Sequence, residues 1–343
     1  MKRMRMVPRR ILIVRTDRIG DVLLSTPVIK NVRMAYPDAY IAFLCRPYTK
    51  DIVEGNPYLD EVIIYDKYRE HKRMRASIEF SYYIREKKFD WAIILHPTNR
   101  VHLITFFAKI PTRVGWNRKM GYLLTERIPH TKQRGKKHEL EYTLDILRYL
   151  NIPIVDESTH FPLKKDAEEK IENMLKGMLR QEKFIVIHPS ASCASKRWPQ
   201  EYFVQLIQLL RKRLTAEIVL ITAKGEEKFG DLLAKEGVVD LKGKLSIAQV
   251  GSLLSRSALF ISNDSGPVHI AAALNTPVIS IFGRKNPGLS PRRWRPLGRH
   301  SFYLHKDVGC KSCLAHNCKK GFVCLRAIKP EEVATLAERL VKG

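Results

Sequence analysis

Short apolar runs alternating with helix-length segments constrain this chain most, because the alternation occurs twice. In the first half the runs are ILIVR (11–15), YIAFL (40–44), EVIIY (61–65) and WAIIL (91–95). Each is strand-length, and most are rich in the branched residues that strands favour. Between them lie stretches such as DVLLSTPVIKNVRMAY (21–36), where Val22, Val28, Ile29 and Val32 give one continuous apolar face despite Pro27. Strands that are apolar throughout are buried on both faces, and their alternation with helices makes a parallel sheet covered by helices.

The polar segment 151–170 breaks the rhythm and reads as a linker. The pattern then restarts with KFIVIH (183–188), a helix near 200–213, EIVLIT (217–222), a helix at 225–236, VVDL (238–241) and a helix at 246–255. ALFIS (258–262), VHIAAAL (268–274) and PVISIFG (277–283) follow as strand, helix and strand. PEEVATLAERLVK (330–342) is a last amphipathic helix opened by proline. The expectation is α/β: two Rossmann-like domains, 1–160 and 161–343, with the final helix free to pack back on the first. A length of 343 residues suits two domains.

Several function classes drop out. The turn after the first strand, RTDRIGD (15–21), has a single glycine, so the G-x-G-x-x-G of a dinucleotide site is missing. No G-x-x-x-x-G-K-[ST] of a P-loop occurs either. No apolar run reaches the roughly 18 residues of a membrane span. The opening MKRMRMVPRRILIV lacks a signal-peptide core and cleavage site, which predicts a cytoplasmic protein. Lys and Arg outnumber Asp and Glu by 61 to 35, a formal charge of +26. Such an excess points to an anionic partner: nucleic acid, an anionic membrane surface or a phosphorylated substrate. The clusters MKRMRMVPRR, REHKRMR (69–75), KQRGKK (132–137) and RRWRPLGR (292–299) carry none of the aromatic-glycine signatures of common RNA modules.

Three loops at strand ends can carry chemistry. In ISNDSGPVHI (261–270), Pro267 suits a first helical position, and Asp264 or Ser265 can cap the helix. Free amides at such a start attract phosphate, and His269 would lie beside it. A well-capped helix with a buried histidine fits the same letters. In HPSASCASKRWPQEYF (188–203), Ser190 and Ser192 offer hydroxyls, and Lys196 a point charge suited to phosphate. In ITAKGEEKF (221–229), Glu226 can accept from ribose hydroxyls or simply begin a helix. Together they describe a nucleotide-diphosphate pocket in the second domain. In the first domain, Asp21 opens a helix at a strand's C-terminal end, where open α/β sheets bind ligands. It is a candidate general base, or an acid favoured by the helix dipole.

RTDRIGDVLLSTPVIKNVR (15–33), HPSASCASKRWPQEYF and SNDSGPVHIAAALNTPVISIFG (262–283) closely resemble glycosyltransferase family 9, the ADP-heptose:lipopolysaccharide heptosyltransferases, in order and spacing. The resemblance implies a GT-B fold, two Rossmann-like domains facing each other across a cleft. It implies an inverting, metal-independent transfer of heptose from ADP-heptose to the inner core of lipopolysaccharide, with no cofactor required. Asp21 then matches the catalytic base and Lys196 the diphosphate lysine. Glu226 matches the ribose-binding acid, and Leu245 in GKLSI a residue near adenine. Asp264, Ser265, Gly266 and His269 match the donor-binding D-[ST]-G-x-x-H pattern. The implied partners are ADP-heptose, a lipid A–core acceptor and the anionic inner membrane at its cytoplasmic face, with no nucleic acid.

Cys310, Cys313, Cys318 and Cys324 form C-x2-C-x4-C-x5-C, whose four thiolates could bind a structural zinc. With the basic excess, they are the whole case for a rival reading, a zinc-bearing nucleic-acid-binding protein. Cys45 and Cys193 look solitary.

Overall fold

In the computed structural model, which describes residues 7–342, the chain divides into two units. One takes residues up to Gln133 and Glu139–Pro162; the other takes Arg134–His138 and Leu163 onward. Residues 1–6, most of the first basic cluster, lie outside the described residues.

The first unit is built on β1 (Arg10–Val14), β2 (Tyr40–Cys45), β3 (Glu61–Ile64), β4 (Trp91–Ile94), β5 (Thr112–Asn117) and β6 (Glu126–Pro129). They pair in parallel in the order β3-β2-β1-β4-β5-β6. The second unit repeats the plan with β7 (Phe184–His188), β8 (Glu217–Leu220), β9 (Val239–Asp240), β10 (Leu259–Asn263), β11 (Val278–Phe282) and β12 (Ser301–His305). Its order, β12-β11-β10-β7-β8-β9, is the same doubly wound sequence. In each sheet the first strand is flanked by its second and its fourth, so the direction of winding reverses beside it. That reversal opens a crevice at the strands' C-terminal ends. It lies between β1 and β4 in one unit and between β7 and β10 in the other.

The apolar runs become strands because both of their faces are covered. Ile11 to Val14 and Ile185 to Ile187 are buried throughout. In the second unit Ile185, Ile187, Ile261 and Ile279 meet Phe203, Leu206 and Leu210 of the Gln200–Arg213 helix. Val333, Ala334 and Ala337 bring the Pro330–Lys342 helix into the same core, so the final helix lies on its own unit's sheet. Each such large side chain contributes roughly 1.5–3 kcal/mol on full burial.

Two helix expectations change. The stretch 21–36 is two helices, Ile19–Leu23 and Thr26–Ala35, with Pro27 in the first turn of the second. A proline there has no N–H to bond residue 23 and its ring crowds that carbonyl, so the chain restarts instead of continuing. The expected helix at 225–236 shrinks to a 3-10 turn, Glu227–Phe229, and one turn of helix, Asp231–Ala234. The linker is shorter than expected as well. Asn31 holds residues 155 and 156 through Val155 N (2.7 Å) and the Asp156 carbonyl (2.6 Å), and Lys30 pairs with the Asp156 carboxylate. A helix then begins at Lys165. Residues 134–138 join the second unit at Gly135, whose φ is +56° and where a Cβ would fall 1.8 Å from the Pro287 carbonyl oxygen. None of the described helices is long and apolar enough to cross a membrane.

Candidate functional site

The crevice of the first unit holds a buried charge cluster. Arg15, which follows β1, is 1% exposed. Its Nε donates to Asp17 (2.7 Å), and its Nη2 donates to Asp21 (2.7 Å) and to Glu139 (3.0 Å). Lys132 Nζ reaches the same Glu139 oxygen at 2.8 Å, and His96, just past β4, lies 3.2 Å from Asp17. Two cations thus face three carboxylates.

Asp21 absorbs the surplus negative charge. It sits in the first turn of the Ile19–Leu23 helix with its side chain 15% exposed. Burial first and the Asp17 carboxylate second push its carboxyl from 3.8 up to about 6, against the pull of Arg15. Burial and Arg15 hold the His96 imidazole below its ordinary value. Arg15 behaves oppositely: burial works against its charge, but Asp17, Asp21 and Glu139 outweigh burial and raise it. An aspartate that keeps its proton to about pH 6 is a stronger base, once ionised, than one at the ordinary value.

The crevice of the second unit is lined differently. His188 ends β7 and is buried; its ring nitrogens meet Ser262 Oγ (3.0 Å) and Ser190 Oγ (3.0 Å). Burial pushes it down to about 4, so it is neutral at pH 7. Beside it, past β10, the Asp264 carboxylate accepts from Arg284 Nη2 at 2.7 Å and lies 3.1 Å from Lys196 Nζ. Here two cations share one carboxylate, which leaves a positive surplus. The Lys196 loop is pinned by Trp198. Its indole N–H donates to the Ile328 carbonyl (3.0 Å) and its backbone N–H to Asn263 Oδ1 (2.9 Å).

His269 lies buried in the helix Pro267–Ala273. Burial foremost, then the neighbouring His138 and Lys196, pushes it down to about 3. Its ring is neutral, and Nδ1 has no hydrogen-bond partner among the described residues. Neither Asp264 nor Ser265 caps this helix, contrary to expectation. The residue ahead of it, Gly266, is itself in helical conformation with no side-chain cap bond. Asp264 is taken by the two cations, and Ser265 Oγ lies 2.9 Å from Ser262 Oγ.

The remaining predicted residues follow the sheet edge outward. Ser190 is fully buried against His188, whereas Ser192 is exposed. Glu226 is half-buried in the turn after β8; its neighbour Glu227 points back to the Gly225 amide (2.9 Å). Leu245, half-buried, follows β9 just ahead of Ser246, which opens the next helix with a reciprocal capping box. Asp264, the His188–Lys196 loop, Glu226 and Leu245 therefore stand after β10, β7, β8 and β9, four neighbouring strands. At about 4.8 Å per strand they span roughly 14 Å, an arrangement suited to an extended nucleoside diphosphate with its phosphates at the crevice.

Sequence reasoning missed Arg284, Arg15, Glu139 and Lys132. Arg15 and Arg284 directly follow or nearly follow strands and could have been flagged by that position. Glu139 lies 124 residues from the arginine it pairs with and carries no local signal. The four cysteines of the C-terminal segment line one cavity of about 460 Å³. Among the described residues, no group of three or more His, Cys, Asp or Glu side chains is arranged to hold a metal ion.

Comparison with known proteins agrees with the motifs. Residues 78–323 match the family described as glycosyltransferase family 9 (heptosyltransferase). Lipopolysaccharide heptosyltransferase 3 of Escherichia coli (strain K12) is 25% identical over 334 residues, covering 94% of this chain and 95% of that protein. The E. coli ADP-heptose lps heptosyltransferase II structure superposes with a TM-score of 0.80 at 21% identity, over 97% of this chain and 98% of that one. E. coli heptosyltransferase WaaC with ADP-2-deoxy-2-fluoro heptose gives 0.71 at 19%, over 96% and 99%. These likenesses match the paired doubly wound sheets to the GT-B fold.

Proposed function

From a chain that belongs to glycosyltransferase family 9, the heptosyltransferases, and is therefore a glycosyltransferase, we propose a specific reaction: inverting transfer of heptose from ADP-heptose to a sugar of the lipopolysaccharide inner core. The names of its relatives support a lipopolysaccharide acceptor, and the fluorinated ADP-heptose of one relative's structure supports the donor.

The chemistry is a single displacement. The acceptor hydroxyl oxygen attacks the anomeric carbon of heptose and Asp21 takes its proton. The bond from that carbon to the phosphate oxygen breaks on the opposite face, and ADP leaves with the bonding electrons. The charge on the departing diphosphate falls to Lys196 and Arg284, whose combined charge exceeds that of Asp264 by one. A neutral imidazole at His269 can donate one hydrogen bond to the same group. Preorganised charge of this kind supplies much of the barrier lowering in transfer reactions. Glu226 takes the ribose hydroxyls, and Leu245 packs near the adenine. Ser192 and Ser265 offer hydroxyls to the donor, and Gly266 presents its backbone to it. Ser190 acts through His188.

No metal or cofactor enters this scheme, because the chain's own cations meet the leaving group. Enzyme acting on a lipid-anchored acceptor would work at the cytoplasmic face of the inner membrane, held peripherally by its basic surface.

The observation that carries the reading is the pair of cations on Asp264 at the second unit's crevice, with a raised-pKa aspartate at the first unit's. The test is incubation with ADP-heptose and a panel of truncated lipid A–core acceptors, read by mass spectrometry. A mass gain of one heptose on at least one acceptor is expected. No gain on any acceptor, or UDP binding as tight as ADP by titration calorimetry, would overturn it.

A further inference from the structure

The loop after β2 carries an arginine that neither the base nor the donor uses. Arg46 follows β2 and precedes the 3-10 turn Pro47–Ile52. Its guanidinium carbon lies 4.3 Å from the ring centre of Tyr48 and 4.4 Å from that of Tyr68. Those rings are open to solvent, Tyr48 at 39% and Tyr68 at 61%. Each sits on a held backbone or hydroxyl. Tyr48 donates its phenol hydrogen to the Asp17 carbonyl at 2.6 Å, and the Tyr68 amide is bound by Asp66 Oδ1 at 3.0 Å.

Arg46 itself is under-used. Its buried Nε–H has no hydrogen-bond partner among the described residues. No carboxylate pairs with it among them either, although Arg15, nearby, pairs with three. A buried donor left without a partner costs free energy, so an arginine fixed this way needs an acceptor from elsewhere. Guanidinium presents a flat fork that matches a carboxylate or phosphate, and flanking rings hold the fork's plane while offering an apolar face to a sugar.

Position gives the fork its purpose. β2 pairs directly with β1, Leu44 opposite Val14. Arg46 therefore leaves the sheet one strand, about 5 Å, from the segment bearing Arg15, Asp17 and Asp21. Tyr48 bridges the two through its bond to Asp17.

We infer that Arg46, flanked by Tyr48 and Tyr68, is the acceptor's anion clamp: it binds a carboxylate or phosphate carried on the acceptor sugar and orients the attacking hydroxyl toward Asp21. This rests on the proposed heptosyl transfer to an acidic core sugar. The clamp is a binding and positioning device and takes no part in proton transfer.

Arg46→Met, Arg46→Lys and Tyr68→Leu test it on acceptors in three forms: intact, carboxyl-reduced and dephosphorylated. In Arg46→Met the acceptor KM should rise about 10- to 100-fold, the range for a charge-assisted pair, with a smaller fall in kcat from lost orientation and ADP affinity near wild type. The rise should vanish on whichever form lacks the oxyanion that Arg46 reads, which also tells carboxylate from phosphate. Arg46→Lys keeps the charge without the fork and should fall between. Tyr68→Leu removes an exposed ring, leaves folding intact and should raise KM several-fold. An equal KM rise on all three forms, or none, would overturn the clamp.

A second readout needs no turnover. The Arg46 Nε–H resonance, identified by its loss in Arg46→Met, is followed while wild-type protein is titrated with the methyl glycoside of a sugar acid and, separately, a sugar phosphate. A shift with one probe and none with its uncharged counterpart supports the clamp; no shift with either refutes it. Should the wild type transfer no heptose at all, the proposed function fails, and this titration still decides the fate of Arg46.

Discussion

Asp21→Asn separates the candidate roles of Asp21 because they move stability and turnover differently. The substitution keeps an oxygen that can accept from Arg15 at the present 2.7 Å but removes the negative charge, leaving two cations against two carboxylates. The sign follows from linkage. A carboxyl raised from 3.8 to about 6 binds its proton more tightly in the folded state. Stability therefore declines as pH rises from about 4 to 6 and stays lower above that. The gap is about 3 kcal/mol at about 1.4 kcal/mol per pH unit. With the side chain 15% open to solvent, that figure is a ceiling on what Asn can return at neutral pH. The variant should melt several degrees higher at pH 7.5 and show no gain at pH 3.5. If Asp21 is the base, turnover should fall about 10²–10⁴-fold with ADP affinity unchanged. Were Asp21 only a helix-dipole acid, the variant would lose roughly 0.3–1 kcal/mol and keep its turnover. Thermal unfolding at the two pH values, kcat and ADP titration on this one variant give the answer. A destabilised variant with near-wild-type kcat would refute both the base and the charge accounting around it.

The same carboxyl sets a pH limb. kcat/KM should fall as pH drops through about 6, where Asp21 takes up its proton; a profile flat from pH 7.5 to 5 would exclude Asp21. Lys196→Met and Arg284→Met should each weaken ADP binding about 10- to 100-fold, and the double variant more than their product, since it leaves the Asp264 charge facing the diphosphate. Calorimetry checks this, and wild-type affinity in Arg284→Met would reduce Arg284 to a partner of Asp264. Binding to vesicles of anionic lipid should weaken steeply between low salt and about half-molar salt, measured by co-sedimentation; salt-independent binding would assign the +26 charge to some other use.

What the sequence disclosed follows from how local each constraint is. Ile11 to Val14 and Phe184 to His188 read as strands because the sheet buries both of their faces, a condition written into consecutive letters. β5 (TRVGWN) and β12 (SFYLH) escaped because each mixes apolar with polar residues, and β12 is an edge strand with Tyr303 exposed. The helix near 200–213 was legible, since its entry after Trp198-Pro199 marks the start, and it spans Gln200–Arg213. The stretch 21–36 was not. Its periodicity runs unbroken through Pro27, and only the backbone's need for an N–H at that place divides it.

The site divides along the same line. Donor-loop residues could be named because a doubly wound sheet puts strand-end loops at one edge, and each loop is contiguous in sequence. The strength of the base could not, because it depends on residues that topology alone assembles. Judged from its helix, Asp21 is an ordinary carboxylate, too weak to draw a proton from an alcohol with much effect. Burial strengthens it first, and Asp17 and then Glu139 strengthen it further by crowding the Arg15 guanidinium; Glu139 arrives from 124 residues away with Lys132 beside it. Arginine holds the carboxylate in place while the second and third acids deny it full neutralisation. Replacing either acid by its amide should thus lower the Asp21 pKa and move the acid limb of kcat/KM toward lower pH. Removing Arg15 should raise both the limb and the cost of folding, since a buried pair broken on one side costs about 3–5 kcal/mol.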